Sequence, residues 1–520
     1  MIRTPVLIIG GSLVGLSQSL FLSWRGVSNV VIEKHRGSSL HPRATGFTER
    51  TLEFYRVVGI ADQIPENQPD FRLRRARVES LTGKVIEELP WTPGRPDERD
   101  GTLSPSMGAA IAQDRLEPIL REAASKRGAD LRLGVEMLSF TQDKDGVTVL
   151  VRERNTEEEY EIRADYMIAA DGADSSIRAQ LGIDRRGVGA LRTLRSVLFR
   201  CPEADAWLDR GIRQFEIEQP DFKAFLSTYN DGRWFVMFDD DRKRDKEELE
   251  TAVRRALGKA LPFEIITFGQ WELAGRIAEQ YRARRVFLVG DAAHQLPPTR
   301  GGYGANTGID DAYNLAWKLE RVLGGSSDAV LLDTYSEERQ PIGWLRHQQT
   351  FARPDYASWV GDALKGETLY GNMAMELGQL TRSSAIIGAG PELPPAAHPD
   401  EWRGDPGTRA PHVWIERSGK RLSTIDLFTR EFTLMTANPL WTEKANKVAA
   451  KAKLTLNTFL VGRDVVFPSD NAFGVAFGTG DNGASVIRPD GLVAWRSKTT
   501  PDDDNLELDQ ILRQIAGLGT

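Results

Sequence analysis

The sequence is poor in the residues that build disulfides and metal sites. Among 520 residues it has one cysteine, Cys201, and six histidines, and the histidines show no metal-ligand spacing. A single cysteine excludes an intramolecular disulfide and any multi-cysteine metal or iron–sulfur site. We therefore expect no metal cofactor, and so few thiols are typical of a protein from a reducing compartment.

Long apolar runs and an excess of basic residues are also lacking. No apolar stretch approaches the ~20 residues that cross a bilayer. The N-terminus does not read as a signal peptide, because the short apolar strand Pro5–Ile9 runs directly into a glycine turn. A net charge of −7 argues against a broad nucleic-acid surface. We expect a cytoplasmic protein, monomeric or homodimeric, that binds neither membrane nor nucleic acid.

What is present is typical of a folded multidomain protein. Hydrophobic residues make up 40% of the chain and charged residues 27%, which are the proportions of globular domains. A chain of this length is expected to form about two to four domains. The first of them begins with a predicted β–α–β unit, in which a helix from Leu13 to about Trp24 joins two apolar strands.

The turn inside this unit carries a nucleotide-binding pattern. Gly10-Gly-Ser-Leu-Val-Gly15 fills the first and third glycine positions of the G-x-G-x-x-G fingerprint, with Ser12 in the middle one. The glycines permit a tight turn and close packing, and the helix N-terminus meets a pyrophosphate. Glu33 ends the second strand, Asn29–Glu33, where a carboxylate binds ribose hydroxyls. These features predict a dinucleotide site; the alternative is a tight turn plus a surface glutamate.

Two further turns follow predicted strands. Asp171-Gly172 comes after Tyr166–Ala170 and by itself is compatible with an ordinary turn. Gly290-Asp291 comes after Arg285–Val289, and the Asp291 carboxylate can accept hydrogen bonds from sugar or ribityl hydroxyls.

A loop rich in proline and glycine then opens into a helix from about Ala305 to Leu323. The free N–H groups and the positive dipole end of this helix suit the partial negative charge of a reduced flavin. A simple connecting loop is the alternative. The candidate cofactor-binding residues of this segment are Pro298, Gly301, Gly304, Ala305 and Asn306.

In this order the three motifs resemble those of the class A, para-hydroxybenzoate hydroxylase-type FAD-dependent aromatic monooxygenases. The resemblance covers most of residues 1–340. The segment Pro42-Arg-Ala-Thr45 resembles the arginine loop of this family, which implies that Arg43 faces the FAD pyrophosphate. A helix start at Gln113 implies a further cofactor contact. The segment Gln270-Trp271-Glu272 resembles the corresponding segment of one subgroup of this family, whose members act on aromatic polyketides and substituted phenols.

The resemblance implies an α/β architecture with a discontinuous Rossmann-like (GR2-type) FAD-binding domain, an inserted antiparallel-sheet substrate domain and a C-terminal thioredoxin-like domain. The expected boundaries are 1–71, 105–185 and 285–345 for the FAD domain, 72–104 and 186–284 for the substrate domain, 346–400 for a helical segment and linker, and 401–520 for the thioredoxin-like domain. At the position of a Cys-x-x-Cys motif the chain has Ala437-Asn-Pro-Leu-Trp441. We therefore expect a structural or association module without disulfide exchange.

The implied activity consumes NAD(P)H and O2 and hydroxylates a small phenolic or polyketide-type aromatic through a flavin C4a-hydroperoxide. Lys34 and Asp171 are further implied cofactor contacts, and Arg382 is the implied candidate for stabilising a substrate phenolate. His294 is interpreted as a packing and hydrogen-bonding residue. Baeyer–Villiger or antibiotic-inactivating oxygenation on the same scaffold and a non-catalytic FAD-binding protein stay open as alternatives. The choice between NADH and NADPH also stays open.

Overall fold

A computed structural model describes residues 1–41, 44–68, 74–89, 102–240, 242–297, 303–354, 356–501 and 506–519. Three of the predicted site residues, Arg43, Pro298 and Gly301, lie outside the described residues.

The strands are β1 (Ile2–Ile9), β2 (Asn29–Glu33), β3 (Gly46–Phe47), β4 (Arg74–Val78), β5 (Val85–Leu89), β6 (Ala109–Ala110), β7 (Asp130–Leu133), β8 (Val135–Gln142), β9 (Val147–Glu153), β10 (Glu159–Ala169), β11 (Arg185–Arg200), β12 (Ile212–Gln219), β13 (Phe222–Thr228), β14 (Arg233–Asp239), β15 (Glu264–Ala278), β16 (Arg282–Ala283), β17 (Val286–Leu288), β18 (His294–Gln295), β19 (Trp414–Arg417), β20 (Lys420–Ser423), β21 (Phe432–Thr436), β22 (Leu456–Leu460), β23 (Ala484–Ile487) and β24 (Val493–Ser497). The helices are α1 (Leu13–Trp24), α2 (Glu49–Val57), α3 (Gln113–Lys126), α4 (Ser176–Gln180), α5 (Lys246–Leu257), α6 (Tyr303–Leu323), α7 (Thr334–Phe351), α8 (Ala357–Val360), α9 (Asn372–Leu377), α10 (Pro399–Trp402), α11 (Pro439–Ala452), α12 (Ala472–Ala476) and α13 (Leu506–Ile515).

The first sheet has the order β16-β17-β10-β1-β2-β7, and its strands from β17 to β7 run parallel. Its central strands are apolar runs buried on both faces, as in other parallel sheets covered by helices. The sequence of Leu131–Glu153, with its turn signal at Asp143–Gly146, predicts antiparallel strands. This is confirmed for β8 and β9, which turn at Asp143–Gly146, but Leu131 belongs to β7, which pairs parallel with β2. A parallel edge strand and a hairpin strand share the same short apolar pattern, so the sequence does not distinguish them.

The second sheet has the order β18-β15-β11-β14-β13-β12-β4-β5 and is antiparallel except where β4 meets β12. One face packs on helix α5 around the fully buried Trp234. This is the inserted sheet that the sequence predicted, and β4 and β5 reach it from an earlier part of the chain. The opposite face turns toward the cavity described below.

The C-terminal sheet has the order β22-β21-β23-β24, with β21 parallel to β22 and β23 antiparallel to both of its neighbours. Helix α11 joins the two parallel strands. This order and these directions are those of a thioredoxin-like fold, and the predicted fold class is confirmed. The stretch Gly388–Pro411 is rich in proline, glycine and small residues, a composition that predicts a linker. It contains α10, whose buried Trp402 donates to the Gly378 carbonyl at 2.7 Å. The three sheets support the domain boundaries given above, which remain our proposal.

A buried ionic cluster joins the C-terminal sheet to helices α6 and α7. The Arg488 guanidinium donates to both oxygens of Glu338 at 2.6 and 2.8 Å, and Lys318 donates to Glu338 at 2.8 Å. Asp490 is a second carboxylate partner of Arg488. Burial opposes the ionisation of Glu338, but Arg488 and Lys318 outweigh it and lower its pKa. Burial also lowers the pKa of Lys318 to about 8.

His412 gives the C-terminal region a pH dependence that can be measured. Its Nδ1 lies 2.7 Å from the Ser423 hydroxyl, and burial lowers its pKa from 6.5 to about 4. Between these two values the unfolded chain binds a proton that the folded chain does not. We therefore expect the free energy of unfolding to fall as the pH drops from 6.5 to 4, by at most about 1.4 kcal/mol per pH unit for one proton.

In the His412→Gln variant this fall should be smaller, because the titrating group is gone. Urea unfolding of both proteins at several pH values in this range measures the difference. Parallel curves for the two proteins would contradict the assignment.

Among the residues that the structure describes, no helix combines the length and the apolar character needed to span a membrane.

Candidate active site

A cavity of about 1090 Å³ lies between the first and second sheets. Its first wall is made by the turns after β1, β10 and β17 and by the start of α6. Its second wall is made by residues of the second sheet. All the predicted cofactor residues within the described ranges line it, namely Gly10, Ser12, Gly15, Glu33, Lys34, Gln113, Asp171, Asp291, Gly304, Ala305 and Asn306.

The fingerprint turn leaves no room for side chains at its glycines. A Cβ at Gly15 would lie 1.9 Å from the Gly10 carbonyl oxygen, and a Cβ at Gly10 would lie 2.2 Å from the Ala170 oxygen. Gly10 also has a φ of +108°, which side chains rarely adopt. The backbone therefore forms the close turn at the N-terminus of α1 that a pyrophosphate needs.

Glu33 is fixed at the end of β2 by two backbone donors. The Gly11 N–H donates to Oε2 and the His35 N–H donates to Oε1, each at 2.8 Å. The carboxylate is therefore oriented toward the fingerprint turn before any ligand binds. This arrangement fits the ribose hydroxyls of an adenosine.

Ser12 belongs to a small polar cluster at the start of α3. Its hydroxyl donates to Glu117 at 2.7 Å, and the Gln113 amide donates to Ser12 at 2.9 Å and to Glu117 at 2.8 Å. Sequence reasoning found Gln113 and overlooked the role of Glu117, which is buried. The i, i+4 spacing of the two residues on a predicted helix was the available signal.

Asp171 follows β10 and is partly buried at the cavity wall. Its Oδ2 accepts weakly from the Ile177 N–H at 3.4 Å, and burial raises its pKa. Its other oxygen, Oδ1, is buried and has no hydrogen-bond partner among the described residues. An acceptor in this state fits a hydroxyl or amide donor of a bound cofactor.

Asp291 follows β17 on a turn that Asp311 of helix α6 holds in place. The Asp311 carboxylate accepts from the Gly290 N–H at 3.1 Å, from Arg339 at 2.7 Å, and lies 2.7 Å from the His294 Nε2. Burial opposes the ionisation of Asp311, but His294 and Arg339 lower its pKa. His294 is fully buried, so the interpretation of a packing and hydrogen-bonding residue is confirmed.

The Asp291→Ala variant should bind FAD more weakly, because a carboxylate that can accept from ribityl hydroxyls is removed. We expect a loss of about 1.5–3 kcal/mol, or roughly 10- to 150-fold in the dissociation constant. Titration of the apoprotein with FAD, followed by flavin fluorescence, measures it. The exposed Asp165 on β10 supplies the control Asp165→Ala. Equal constants for Asp291→Ala and the wild type would remove Asp291 from the site.

Helix α6 begins at Tyr303, slightly earlier than predicted, and its first residues line the cavity. The Asn306 side chain accepts from the Thr48 N–H at 3.1 Å and from the Thr51 hydroxyl at 2.7 Å. It therefore ties α6 to the start of α2, and the exposed backbone at the N-terminus of α6 faces the cavity.

The second wall carries the sequence triplet that pointed to polyketide and phenol substrates. Gln270, Trp271 and Glu272 on β15 all line the cavity. Burial opposes the ionisation of Glu272, but its hydrogen bond with Arg276 outweighs it and lowers its pKa. Sequence reasoning missed the other lining residues of this sheet, because only strand pairing brings them to the same face. They are Arg213, Gln214, Ser227, Thr228 and Gln295 of the sheet, with Tyr229 and Asn230 in the turn after β13.

Among the predicted site residues that the structure describes, Arg382 alone does not line the cavity. Its guanidinium donates to the Gly390 carbonyl at 3.2 Å and to the Leu393 carbonyl at 2.5 Å. These bonds hold the loop before α10. The role of Arg382 in phenolate stabilisation stays a prediction, and this placement does not support it.

The described residues thus fit a bound FAD. The glycine turn, the oriented Glu33, the open acceptor of Asp171 and the start of α6 lie along one wall, opposite a polar and aromatic sheet. Such an arrangement can hold an extended dinucleotide with its reactive ring against a flat substrate.

Comparison with known proteins agrees with this arrangement. Residues 3–350 match the family described as FAD binding domain, and residues 403–518 match the aromatic-ring hydroxylase C-terminal family. The chain is 39% identical to a tetracenomycin A2 monooxygenase-dioxygenase of Streptomyces glaucescens, over 99% of this chain and 97% of that protein. It is 35% identical to a 4-methyl-5-nitrocatechol 5-monooxygenase of a Burkholderia species, over 99% and 98%. A crystal structure of aklavinone-11 hydroxylase with FAD and aklavinone superposes with a TM-score of 0.88, at 33% identity and 99% coverage of both chains.

Proposed function

The chain belongs to the FAD-dependent aromatic-ring hydroxylases, and from this membership we propose that its substrate is a polycyclic phenol of the aromatic polyketide class. The protein is a monooxygenase that consumes NAD(P)H and O2 and hydroxylates an aromatic ring with FAD as its cofactor. The Baeyer–Villiger, antibiotic-inactivating and non-catalytic alternatives are not favoured.

The observation that carries the substrate class is the composition of the second wall. It presents hydrogen-bonding side chains and two aromatic rings to the cavity: Gln214, Ser227, Thr228, Tyr229, Asn230, Gln270 and Trp271. The rings of Tyr229 and Trp271 suit the faces of a flat polycycle, and the polar side chains beside them can form hydrogen bonds with its oxygen substituents. A simple phenol would contact only a few of these side chains. The names of the tetracenomycin and aklavinone relatives support the same class.

FAD, when bound, supplies the activation of oxygen and its transfer to the ring. We assign the remaining work to residues of this chain. The turn from Gly10 to Gly15 and Glu33 hold the pyrophosphate and the adenosine, and Asp291 holds the ribityl chain. The N-terminus of α6, from Gly304, stabilises negative charge on the reduced ring through the positive end of the helix dipole. The second sheet orients the aromatic ring and excludes water.

The test is NAD(P)H consumption by the holoenzyme across a panel that runs from phenol and catechol to hydroxynaphthacenequinones. We expect polycyclic members to raise the rate and to give products heavier by one oxygen, with all rings intact by NMR. Reactions without substrate, assayed with catalase for H2O2, measure the uncoupled background. Turnover of simple phenols alone would contradict the substrate class, and a preparation without flavin would contradict the cofactor assignment.

A further inference from the structure

Tyr303 is an aromatic residue at the start of α6 that the function described so far does not use. It lines the cavity and is only 8% exposed. Its neighbour Gly304 lies close to Asp291, since a Cβ at Gly304 would be 3.7 Å from the Asp291 Oδ1. Tyr303 therefore sits at the end of the cavity where the ribityl chain would lead into the flavin ring.

A buried cation covers the ring of Tyr303. The Arg346 guanidinium carbon lies 4.3 Å from the ring centre, and Arg346 donates to Glu376 at 2.7 Å. Both charged side chains are buried, and the Arg346 Nε has no partner among the described residues. Glu376 lies one turn after Asn372 on α9, and Asn372 lines the cavity. Three helices, α6, α7 and α9, thus meet at this phenol.

Burial keeps the proton on the Tyr303 phenol, and the neighbouring guanidinium polarises its O–H group. Burial raises the pKa of the phenol, and Glu376 acts in the same direction, whereas Arg346 and Arg353 oppose them. The net effect is a phenol that is protonated at neutral pH and polarised by a neighbouring guanidinium. A donor of this kind binds an oxygen anion more strongly than a neutral oxygen.

We propose that Tyr303 donates a hydrogen bond to the ionised phenolic oxygen of the substrate, and that Arg346, fixed by Glu376, is a positioning residue for Tyr303. The proposal rests on the proposed function and names the group that recognises the substrate's reacting ring. An ionised phenol is the more reactive form toward an electrophilic oxygen, so a site that favours it also favours hydroxylation. Tyr303 and Arg346 together take the role that the sequence had assigned to Arg382.

The experiment measures the ionisation of a phenolic dye bound to the holoenzyme. The probe is alizarin (1,2-dihydroxyanthraquinone), whose ionised form absorbs at longer wavelength than the oxidised flavin band. We expect the wild-type protein to lower the apparent pKa of the bound dye. Tyr303→Phe should reduce this shift by about one unit, a tenfold change in the ratio of ionised to neutral dye. Arg346→Met should reduce it partly, and Arg346→Lys should restore most of it.

The chain offers a matched pair of controls. Arg132 lies over the Tyr160 ring at 5.8 Å and pairs with Asp130, away from the cavity. Tyr160→Phe and Arg132→Met should leave the dye spectrum unchanged. FAD content and thermal midpoint, measured for every variant, separate an effect on recognition from a loss of fold.

Two results would overturn the proposal. One is a wild-type protein that leaves the ionisation of alizarin unchanged; the other is a Tyr303→Phe variant that shifts it as the wild type does. Failure of the proposed function gives a different result, because the wild-type holoenzyme would then turn over simple phenols and none of the polycyclic members of the panel. If polycyclic phenols are hydroxylated while the dye shift is absent, only the role of Tyr303 is lost.

Discussion

Replacing Gly15 by alanine is expected to abolish the binding of FAD. The added Cβ would lie 1.9 Å from the Gly10 carbonyl oxygen, which is far inside contact distance and is backbone that cannot rotate away. Helix α1 must then move off the fingerprint turn, and the N–H groups at its N-terminus lose their place at the pyrophosphate. We expect the dissociation constant of FAD to rise about 100-fold, which is ~2.7 kcal/mol and lies at the upper end of the ~1–3 kcal/mol that overpacking costs.

The control for this variant is Gly37→Ala, because a Cβ at Gly37 meets nothing within 4 Å and its φ is ordinary. Both proteins should be purified and their absorbance compared at the flavin band and at 280 nm. We expect a colourless Gly15→Ala protein and a yellow Gly37→Ala protein. A Gly15→Ala protein that keeps a full complement of FAD would show that the turn does not meet the pyrophosphate.

Replacing Glu338 by glutamine is expected to cause the largest loss of stability. The change leaves the buried ammonium of Lys318 without the carboxylate that neutralises it, and it leaves Arg488 with Asp490 as its remaining carboxylate partner among the described residues. Removing one partner of a buried ion pair typically costs about 3–5 kcal/mol. Because Arg488 lies in the turn between β23 and β24 of the C-terminal sheet and Glu338 lies on α7, we expect the C-terminal domain to unfold before the rest of the variant.

The neighbouring Glu337 supplies a matched control, since it is exposed on the same helix. Glu337→Gln should unfold as the wild type does in urea, followed by circular dichroism and tryptophan fluorescence. The stabilisation that Glu338 gives the wild-type protein should also depend on pH. The pKa of Glu338 is lowered in the fold, so its stabilisation is complete above the ordinary glutamate pKa and is lost as the pH falls below it. An unchanged midpoint in Glu338→Gln would contradict the assignment.

The comparison of sequence and structure separates local features from distant ones. The fingerprint turn and the Gly290-Asp291 turn each lie within a few residues of a strand end. Their glycines, carboxylates and helix starts are therefore held in place by local backbone geometry, and the sequence predicted their position in the cavity. The loss of disulfide exchange was equally predictable, because the sequence alone shows that Ala437–Trp441 contains no cysteine.

Arg382 shows the limit of this kind of reasoning. The implied mechanism favours a cation or a proton-accepting chain near the substrate ring, and the family resemblance selected an arginine by its position along the chain. Whether a side chain reaches the cavity depends on the packing of α7, α9 and the loop before α10, and no local pattern encodes that packing. The structure directs Arg382 to two backbone carbonyls and brings Arg346 to Tyr303 instead.

By itself the sequence determined the class of the protein: a Rossmann-like FAD site, an inserted sheet and a thioredoxin-like tail without thiols. These follow from short motifs and from the family resemblance that those motifs carry, and each motif spans only a few residues. Only the tertiary structure decided which side chains of the second sheet face the flavin, and that Tyr303, Arg346 and Glu376 meet. It also decided that Glu338 and Arg488, 150 residues apart, share one buried cluster. Contacts of this kind depend on how whole elements pack, because burial and charge pairing are settled only when distant segments come together.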